Sequence, residues 1–280
     1  MKTATKLLLA AGTVIAFKGL DNRLEVTHTE AGFENLPDGF EGFKIAHISD
    51  LHSESIPGVF EEIAAQKPDM TVITGDMIHD DERSYQSVLS LIERLAEIAP
   101  LYIISGNHDL WNNDFKLFIK KACEKGAVYS DNKRITIEHK GSKIDLFGLR
   151  DPYTKATDTI IKNLDKAFSE LPENENDFSI LLFHRASQFE RIIDRRHFDL
   201  ILSGHMHGGQ FRIPGIGGMV SPKSGLADSY RIFFPKYCSG MFKRENTTMI
   251  VNRGLGNPMI IPRLFNRPEI GIIELKKNNI

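Results

Sequence analysis

The chain has 280 residues, of which 41% are hydrophobic, and its formal net charge is −2. This length can bury one sizeable core, and the near-neutral charge excludes the broadly basic surface typical of nucleic-acid-binding proteins. The two cysteines, Cys123 and Cys238, lie far apart outside any C-x-x-C pattern, so they indicate two buried thiols rather than a disulfide scaffold or a zinc-thiolate site. The composition leaves the oligomeric state open.

The first predicted element is an N-terminal leader. Lys2 and Lys6 precede an apolar run from Leu7 to Phe17, which is shorter than the roughly 20 residues that span a bilayer. The pattern is typical of an export signal, and a buried N-terminal helix is the alternative. We expect residues 1–20 to be an export signal or signal-anchor that leaves the remainder outside the cytosol, at the membrane.

After a linker or leading strand at residues 21–42, short β-branched runs alternate with stretches of helical period, which predicts one α/β domain over residues 43–278. The predicted strands are Lys44–Ile48, Thr71–Thr74, Leu101–Ser105, Ile144–Gly148, Ser179–Phe183 and Leu200–Ser203. The predicted helices are Val59–Gln66, Ser84–Ile98, Phe115–Lys125, Thr157–Ser169 and Ser187–Asp194. Late strands near Met249–Asn252 and Ile270–Leu275 are expected to complete a second sheet.

Polar side chains follow five of these strands at the point where each strand ends. They are Asp50 and His52, Asp76, Asn107 and His108, His184, and His205 and His207. Ligands of open α/β sheets bind outside the carboxyl ends of the strands, so these five ends are expected to converge on one site.

Imidazole, carboxylate and amide oxygen without thiolate suit Mn, Fe or Zn rather than a structural zinc finger or a calcium loop. In the Asp-x-His and His-x-His pairs, extended backbone is expected to project both side chains to one face. Each pair can therefore bind one metal ion or serve two adjacent ions.

The motifs resemble the signature of calcineurin-like metallophosphoesterases, in order and in spacing, over about residues 43–278. They are Ser49-Asp50-Leu51-His52, Gly75-Asp76, Gly106-Asn107-His108-Asp109, Phe183-His184 and Gly204-His205-Met206-His207-Gly208-Gly209-Gln210. With Leu255-Gly256-Asn257 and Arg267-Pro268-Glu269, the chain is similar to the membrane-associated bacterial branch, some members of which are linked to UDP-2,3-diacylglucosamine hydrolysis.

The resemblance implies a four-layer α/β/β/α sandwich of two mixed sheets flanked by helices, with two divalent metal ions, Mn, Fe or Zn. Asp50, His52 and His207 would hold the first ion, Asn107, His184 and His205 the second, and Asp76 would bridge both. Two such ions lower the pKa of a bound water and clamp the phosphoryl oxygens, so no protein nucleophile is required.

His108 is expected to be a general acid toward the leaving alkoxide or a charge-stabilising contact to phosphate, with Asp109 orienting its imidazole. The family often continues Gly-Asp with a further acidic and a basic residue, whereas Met77-Ile78-His79-Asp80 follows here, so His79 and Asp80 receive no assigned role. Trp111 either lines the mouth of the pocket or is partly buried in packing against neighbouring side chains.

The segment from Arg212 to Arg267 carries nine Lys or Arg against two Asp or Glu, interleaved with aromatic and aliphatic residues. It is either a solvated loop or a rim that attracts a phosphorylated lipid or rests on anionic headgroups.

Three functions compete. The first is a phosphodiesterase or pyrophosphatase acting on a phosphorylated small molecule, a nucleotide sugar or a lipid. A protein or monoester phosphatase and an inactive scaffold of the same fold are the alternatives. Inactive scaffolds lose metal ligands freely, and none of the seven expected ligands is lost here, so the sequence favours the enzyme.

Overall fold

Two six-stranded sheets dominate the computed structural model, which describes residues 19–81, 84–152, 157–220, 233–257 and 262–278. The strands are β1 (Glu25–Phe33), β2 (Lys44–Ile48), β3 (Met70–Thr74), β4 (Leu101–Ile104), β5 (Ala127–Tyr129), β6 (Lys133–His139), β7 (Ser142–Leu149), β8 (Ser179–Arg185), β9 (Leu200–Gly204), β10 (Arg212–Ile213), β11 (Gly217–Gly218), β12 (Gly240–Arg244), β13 (Thr247–Val251) and β14 (Glu269–Lys277). The α-helices are α1 (Val59–Gln66), α2 (Gln86–Ile98), α3 (Asn107–Trp111), α4 (Phe115–Glu124), α5 (Thr157–Glu170) and α6 (Phe189–Ile193).

Both large sheets are mixed. The first has the strand order β1-β14-β2-β3-β4-β5, and the second has the order β12-β13-β9-β8-β7-β6. Strands β2, β3, β4 and β5 are parallel to one another, as are β7, β8, β9 and β13, whereas β14 is antiparallel to β2. Within each sheet, consecutive parallel strands therefore end at the same edge.

The alternation of side chains along each strand explains the layers. In the first sheet, Val72 belongs to the core between the sheets, while its neighbour Ile73 packs with helical residues such as Ile92. In the second sheet, Leu182 faces the first sheet and Leu181 packs with Leu164 of α5. The predicted four-layer α/β/β/α sandwich is confirmed.

One predicted strand lies in the other sheet. Of the two late strands expected to complete the second sheet, β13 does so, but β14 lies in the first sheet between β1 and β2. Its side chains are apolar toward both faces: Ile272 packs on the helical side and Ile273 between the sheets. Such a strand is stable only in a sheet interior covered on both faces, and β1, from the predicted linker, supplies the outer partner.

The leader falls largely outside the described residues, which begin at residue 19. Among the described helices none is both long and apolar enough to cross a membrane. Of the two cysteines predicted to be buried, Cys238 is buried and Cys123 is exposed, because Cys123 lies on the outer face of α4.

Candidate metal centre

The structure brings the seven predicted metal-ligand residues to one place between the sheets. Asp50 and His52 follow β2, Asp76 follows β3, and Asn107 begins α3 directly after β4. From the second sheet, His184 lies near the end of β8, and His205 and His207 follow β9. All seven side chains are buried.

The first ligand group consists of Asp50, His52, Asp76 and His207, each offering one ligand atom within 4.8 Å of the others. The Nε2 atoms of His52 and His207 are 3.3 Å apart, and His207 Nε2 is 3.5 Å from Asp50 Oδ1. Nitrogen and oxygen ligands that share one ion at about 2.0–2.2 Å lie roughly 3 to 3.5 Å from each other. The spacing of this group fits such an ion.

The second ligand group consists of Asp76, His184 and His205. His184 Nε2 lies 3.2 Å from Asp76 Oδ2 and 3.2 Å from His205 Nδ1. Asp76 Oδ2 is also 3.7 Å from His52 Nε2 in the first group. One carboxylate is therefore shared by both groups.

Buried polar atoms without hydrogen-bond partners test whether these residues fit bound cations. Asp76 Oδ2 and both side-chain amide atoms of Asn107 are buried and make no hydrogen bond. Asp76 Oδ1, by contrast, accepts a hydrogen bond from the His108 amide at 2.8 Å. Buried polar atoms are rarely left unsatisfied, so this donor set fits bound divalent cations.

The backbone at the ligands is not extended, which corrects the expected basis of the Asp-x-His and His-x-His pairs. Five of the seven residues have left-handed φ angles: Asp50 (54°), His52 (50°), Asp76 (51°), His205 (73°) and His207 (47°). Each such residue costs on the order of 1 kcal/mol and persists only where surrounding structure imposes it. Tight turns after the strands, rather than strand alternation, aim the side chains inward.

Neighbouring groups fix the orientation of individual ligands. His184 Nδ1 lies 2.7 Å from the Thr74 carbonyl oxygen and donates to it, so Nε2 is the nitrogen presented to the second group. The His205 amide donates to both Asp50 oxygens, at 3.2 and 3.1 Å. A Cβ at Gly204 would collide with the Ser49 hydroxyl and the Asp50 carboxylate, so only glycine permits this approach.

The electrostatics of the centre favour cations. Burial holds the pKa of His52 and His207 well below the ordinary imidazole value, so both rings keep their lone pairs at neutral pH. Burial raises the pKa of Asp50 to about 6. Burial also opposes ionisation of Asp76, but the neighbouring histidines, His184 foremost, together outweigh burial and hold the pKa of Asp76 well below its usual range. Burial lowers the pKa of His184 as well, but the neighbouring carboxylates, Asp76 foremost, outweigh burial and raise that pKa to about 10. Two carboxylates thus face the neutral rings of His52 and His207 and the protonated ring of His184.

His108 contacts a different carboxylate from the one expected. Asp109 accepts hydrogen bonds from the amides of Ile78 and Gly106, both at 2.8 Å, so it braces the loops that carry Asp76 and Asn107. The carboxylate facing the His108 ring is Asp80, whose Oδ1 lies 3.2 Å from His108 Nδ1. Asp109 lies in the first turn of α3, where free backbone amides donate hydrogen bonds to its carboxylate.

Arg263 was not expected near the centre. It is 2% exposed, donates to the carbonyl oxygens of Arg253 and Gly256, and has Nη2 3.4 Å from His207 Nδ1. Burial lowers its pKa to about 10, so it remains charged. The sequence indicates this burial only weakly, because Arg263 stands between two apolar residues, Pro262 and Leu264.

Trp111 and three histidines outside the ligand groups, His47, His139 and His197, have the following contacts. The Trp111 ring lies 4.9 Å from the His108 ring and is partly buried at the mouth of the centre. His47 bonds Thr74 Oγ1, His139 packs on Phe40 and Phe43, and His197 lies near Asp199, so all three have structural contacts.

Part of the basic segment forms internal ion pairs. Arg253 pairs with Glu25 and Glu269, and Lys236 pairs with Glu190. Lys223 and Arg231 lie outside the described residues. Among the described residues of the segment, the large apolar side chains that are exposed are Ile213, Ile216, Phe233, Phe234 and Met241.

Comparisons with known proteins agree with this geometry. A family model described as calcineurin-like phosphoesterase matches residues 43–209. The chain is 30% identical to YkuE, an uncharacterized metallophosphoesterase of Bacillus subtilis (strain 168), over 97% of this chain and 94% of the relative. It is 26% identical to phosphodiesterase YaeI of Escherichia coli (strain K12), over 85% and 84% of the two chains.

Among solved structures, phosphopantetheinyl hydrolase PptH from Mycobacterium tuberculosis has the same fold, with a TM-score of 0.50 and 10% identity, over 76% of this chain and 89% of that chain. The family match covers more than half of the sequence and contains Asn107 and the six residues of the two ligand groups. The chain therefore belongs to the calcineurin-like phosphoesterases, a family of metal-dependent phosphoesterases.

Proposed function

We propose that this protein is a two-metal phosphodiesterase or pyrophosphatase that uses water as the nucleophile. The observation that carries the proposal is the membership of Asp76 in both ligand groups. Asp50, His52, Asp76 and His207 would hold one ion, and Asp76, Asn107, His184 and His205 the other. When bound, two Mn, Fe or Zn ions supply Lewis-acid polarisation of the phosphoryl group and a more acidic water.

The chain itself contributes a proton donor beside the ligand groups. The His108 amide is fixed to Asp76, and its ring packs 4.7 Å from the His52 ring. Because Nδ1 faces Asp80, Nε2 is the nitrogen left to donate a proton to the leaving oxygen. The role of His108 is therefore general acid.

A diester or pyrophosphate substrate is favoured over a monoester by the charge at the mouth. Asp80 and Asp81 are partly exposed there, beside His79 and His108. Their carboxylates repel a dianionic monoester more strongly than a singly charged diester. The Escherichia coli relative, phosphodiesterase YaeI, supports the same choice.

A substrate panel tests this function. The protein loaded with Mn²⁺ should hydrolyse bis-p-nitrophenyl phosphate or a UDP-sugar with a kcat/KM at least about tenfold above that for p-nitrophenyl phosphate. In H₂¹⁸O, one ¹⁸O should enter the phosphate product, since water attacks phosphorus. Faster monoester hydrolysis would indicate a monoester or protein phosphatase, and a protein with neither bound metal nor turnover would be a scaffold.

The proposed substrate class includes lipid-linked compounds, because a groove lies beside the centre. It has a volume of 570 Å³ and is lined in part by Arg212, Arg253 and Arg267, by Glu25, which pairs with Arg253, and by Ile213 and Ile216 at the β10–β11 hairpin. Arg212 donates to the carbonyl of Gly208, directly after His207. Cationic and apolar walls together suit an amphiphilic phosphate.

A membrane surface is the proposed partner of this region. Ile216 and Phe233 are 66% and 63% exposed, and both lie in the basic segment. Apolar side chains that insert between headgroups gain roughly 25 cal/mol per Å² buried, and each nearby basic residue adds about 1 kcal/mol on an anionic surface.

Co-sedimentation with vesicles tests the membrane proposal. Protein lacking residues 1–18 should bind phosphatidylglycerol-rich vesicles more tightly than pure phosphatidylcholine, and Ile216→Ser with Phe233→Ser should weaken binding by about tenfold or more. Leu117→Ser, at an exposed position on α4, is the matched control and should bind normally. Equal failure to bind both vesicle types would refute the proposal.

A further inference from the structure

A buried ion pair adjoins the second ligand group. Arg185 follows His184 at the end of β8, Asp151 follows β7, and both side chains of the pair are fully buried. Arg185 Nε donates to Asp151 Oδ2 at 2.7 Å, and Nη2 donates to Oδ1 at 3.2 Å. This two-pronged contact fixes the direction of the guanidinium plane as well as its position. Because a buried ion pair adds little net stability compared with apolar side chains of similar size, folding alone does not account for it.

The backbone at His184 departs from regular strand pairing. Leu182 pairs with Leu202 and Arg185 pairs with Gly204, so β8 advances three residues where β9 advances two. His184 lies in this bulged stretch between Leu182 and Arg185. A bulge disrupts the ladder locally, bends the strand and re-aims a side chain. Regular pairing therefore does not by itself hold His184, and pairing resumes at Arg185.

The pair of residues at which the ladder resumes adjoins both histidines of the second group. His184 precedes Arg185 on β8, and His205 follows Gly204 of β9. His184 Nε2 and His205 Nδ1 are 3.2 Å apart. We propose, on the basis of the two-ion function above, that the Asp151–Arg185 ion pair positions His184 and thereby sets the affinity of the second metal ion.

Position and charge predict different outcomes when one partner of the ion pair is removed. Without Asp151, the buried guanidinium next to His184 repels a cation, and without Arg185 the remaining carboxylate attracts one. A purely electrostatic role would therefore weaken binding of the second ion in the first case and strengthen it in the second. A positioning role weakens binding in both cases, because His184 loses its anchor either way.

The first ligand group has separate supports. The Gly256 amide donates to the Asp50 carbonyl at 2.7 Å, and Asn266 Nδ2 donates to the His207 carbonyl at 2.7 Å. Loss of the ion pair should therefore leave the first ion in place. A general loss of stability, by contrast, would weaken binding of both ions together.

Stepwise Mn²⁺ binding by the full chain, measured by equilibrium dialysis and elemental analysis, tests the positioning role. Asp151→Asn and Arg185→Gln should bind the first ion as the wild type does and the second about 10- to 100-fold more weakly. Asp145→Asn, which alters another buried carboxylate of the second sheet, should bind both ions normally. Wild-type affinity for the second ion in either variant, or tighter binding in Arg185→Gln, would overturn the proposal.

A double variant, Asp151→Leu with Arg185→Met, keeps the test valid if a single variant fails to fold. Replacing both charges by apolar side chains usually preserves stability, so its thermal unfolding should resemble that of the wild type. Its second ion should still bind about 10- to 100-fold more weakly. Wild-type affinity for the second ion in this variant would also overturn the proposal.

Crystals of the metal-free double variant separate the positioning role from the two-ion function. The distance between His184 Nε2 and His205 Nδ1, which is 3.2 Å here, should change by more than about 0.5 Å. A wild-type protein that binds only one ion would refute the two-ion function, and this distance would still decide the positioning role. An unchanged distance would contradict that role.

Discussion

Asp76→Asn is expected to lower kcat/KM for bis-p-nitrophenyl phosphate by on the order of 10³-fold or more, or about 4 kcal/mol of transition-state stabilisation. The shared carboxylate is the residue common to both ligand groups, so removing its charge weakens both ions at once. Bound Mn²⁺, measured by elemental analysis, should fall from two per chain to one or none.

Asp145→Asn is the matched control for this substitution. Asp145 is fully buried on β7 and accepts hydrogen bonds from Glu175 and Asn176, outside both ligand groups. It should retain two bound ions, and circular dichroism should show that both variants remain folded. Normal turnover with two bound ions in Asp76→Asn would remove the basis for a shared ligand.

His108→Ala is expected to lower the rate by roughly 10²- to 10⁴-fold on a diester with a simple alcohol as leaving group. On p-nitrophenyl esters the loss should be below about tenfold, since that leaving group departs without protonation. Bound Mn²⁺ should remain at two per chain, because His108 belongs to neither dinuclear ligand group.

The dependence on leaving group separates an acid from a residue that merely binds phosphate. Loss of charge stabilisation would slow both substrates equally, and a structural defect would also reduce metal content. His28→Ala, at an exposed position on β1, should leave both rates unchanged. Equal slowing of both substrates by His108→Ala would exclude the acid role.

Much of the centre was predictable because its chemistry is local in sequence. Asp50, Asp76 and Asn107 each stand directly after a buried β-strand, and parallel strands place their carboxyl ends at one edge. The same reasoning applies to His184 and His205 in the second sheet. Strand runs such as Lys44–Ile48 were recognisable because apolar, β-branched residues fill them.

What failed depended on contacts between distant segments. The apolar alternation of β14 shows that two faces are covered, but not that β1 and β2 are its neighbours. Sequence proximity suggested Asp109 as the partner of His108, whereas Asp109 bonds backbone amides and Asp80 arrives from another loop. Pairings of this kind are set by tertiary packing, which local pattern does not record.

The loops that carry the seven ligands are also held in place by backbone and side-chain contacts from the C-terminal part of the chain. Leu255 and Gly256 donate backbone hydrogen bonds to Ser49 and Asp50, at 3.0 and 2.7 Å, so the late Leu255-Gly256-Asn257 motif braces the first ligand loop. Asn266 Nδ2 donates to the His207 carbonyl at 2.7 Å. These contacts explain how left-handed backbone is maintained at Asp50 and His207.

Anomalous X-ray scattering from crystals of the Mn²⁺-loaded protein tests the two-ion centre most directly. We predict two strong peaks roughly 3.5 to 4 Å apart, with Asp76 contacting both. Asp50, His52 and His207 should contact the first peak only, and Asn107, His184 and His205 the second only. A single peak, or two peaks without a shared Asp76, would contradict the account.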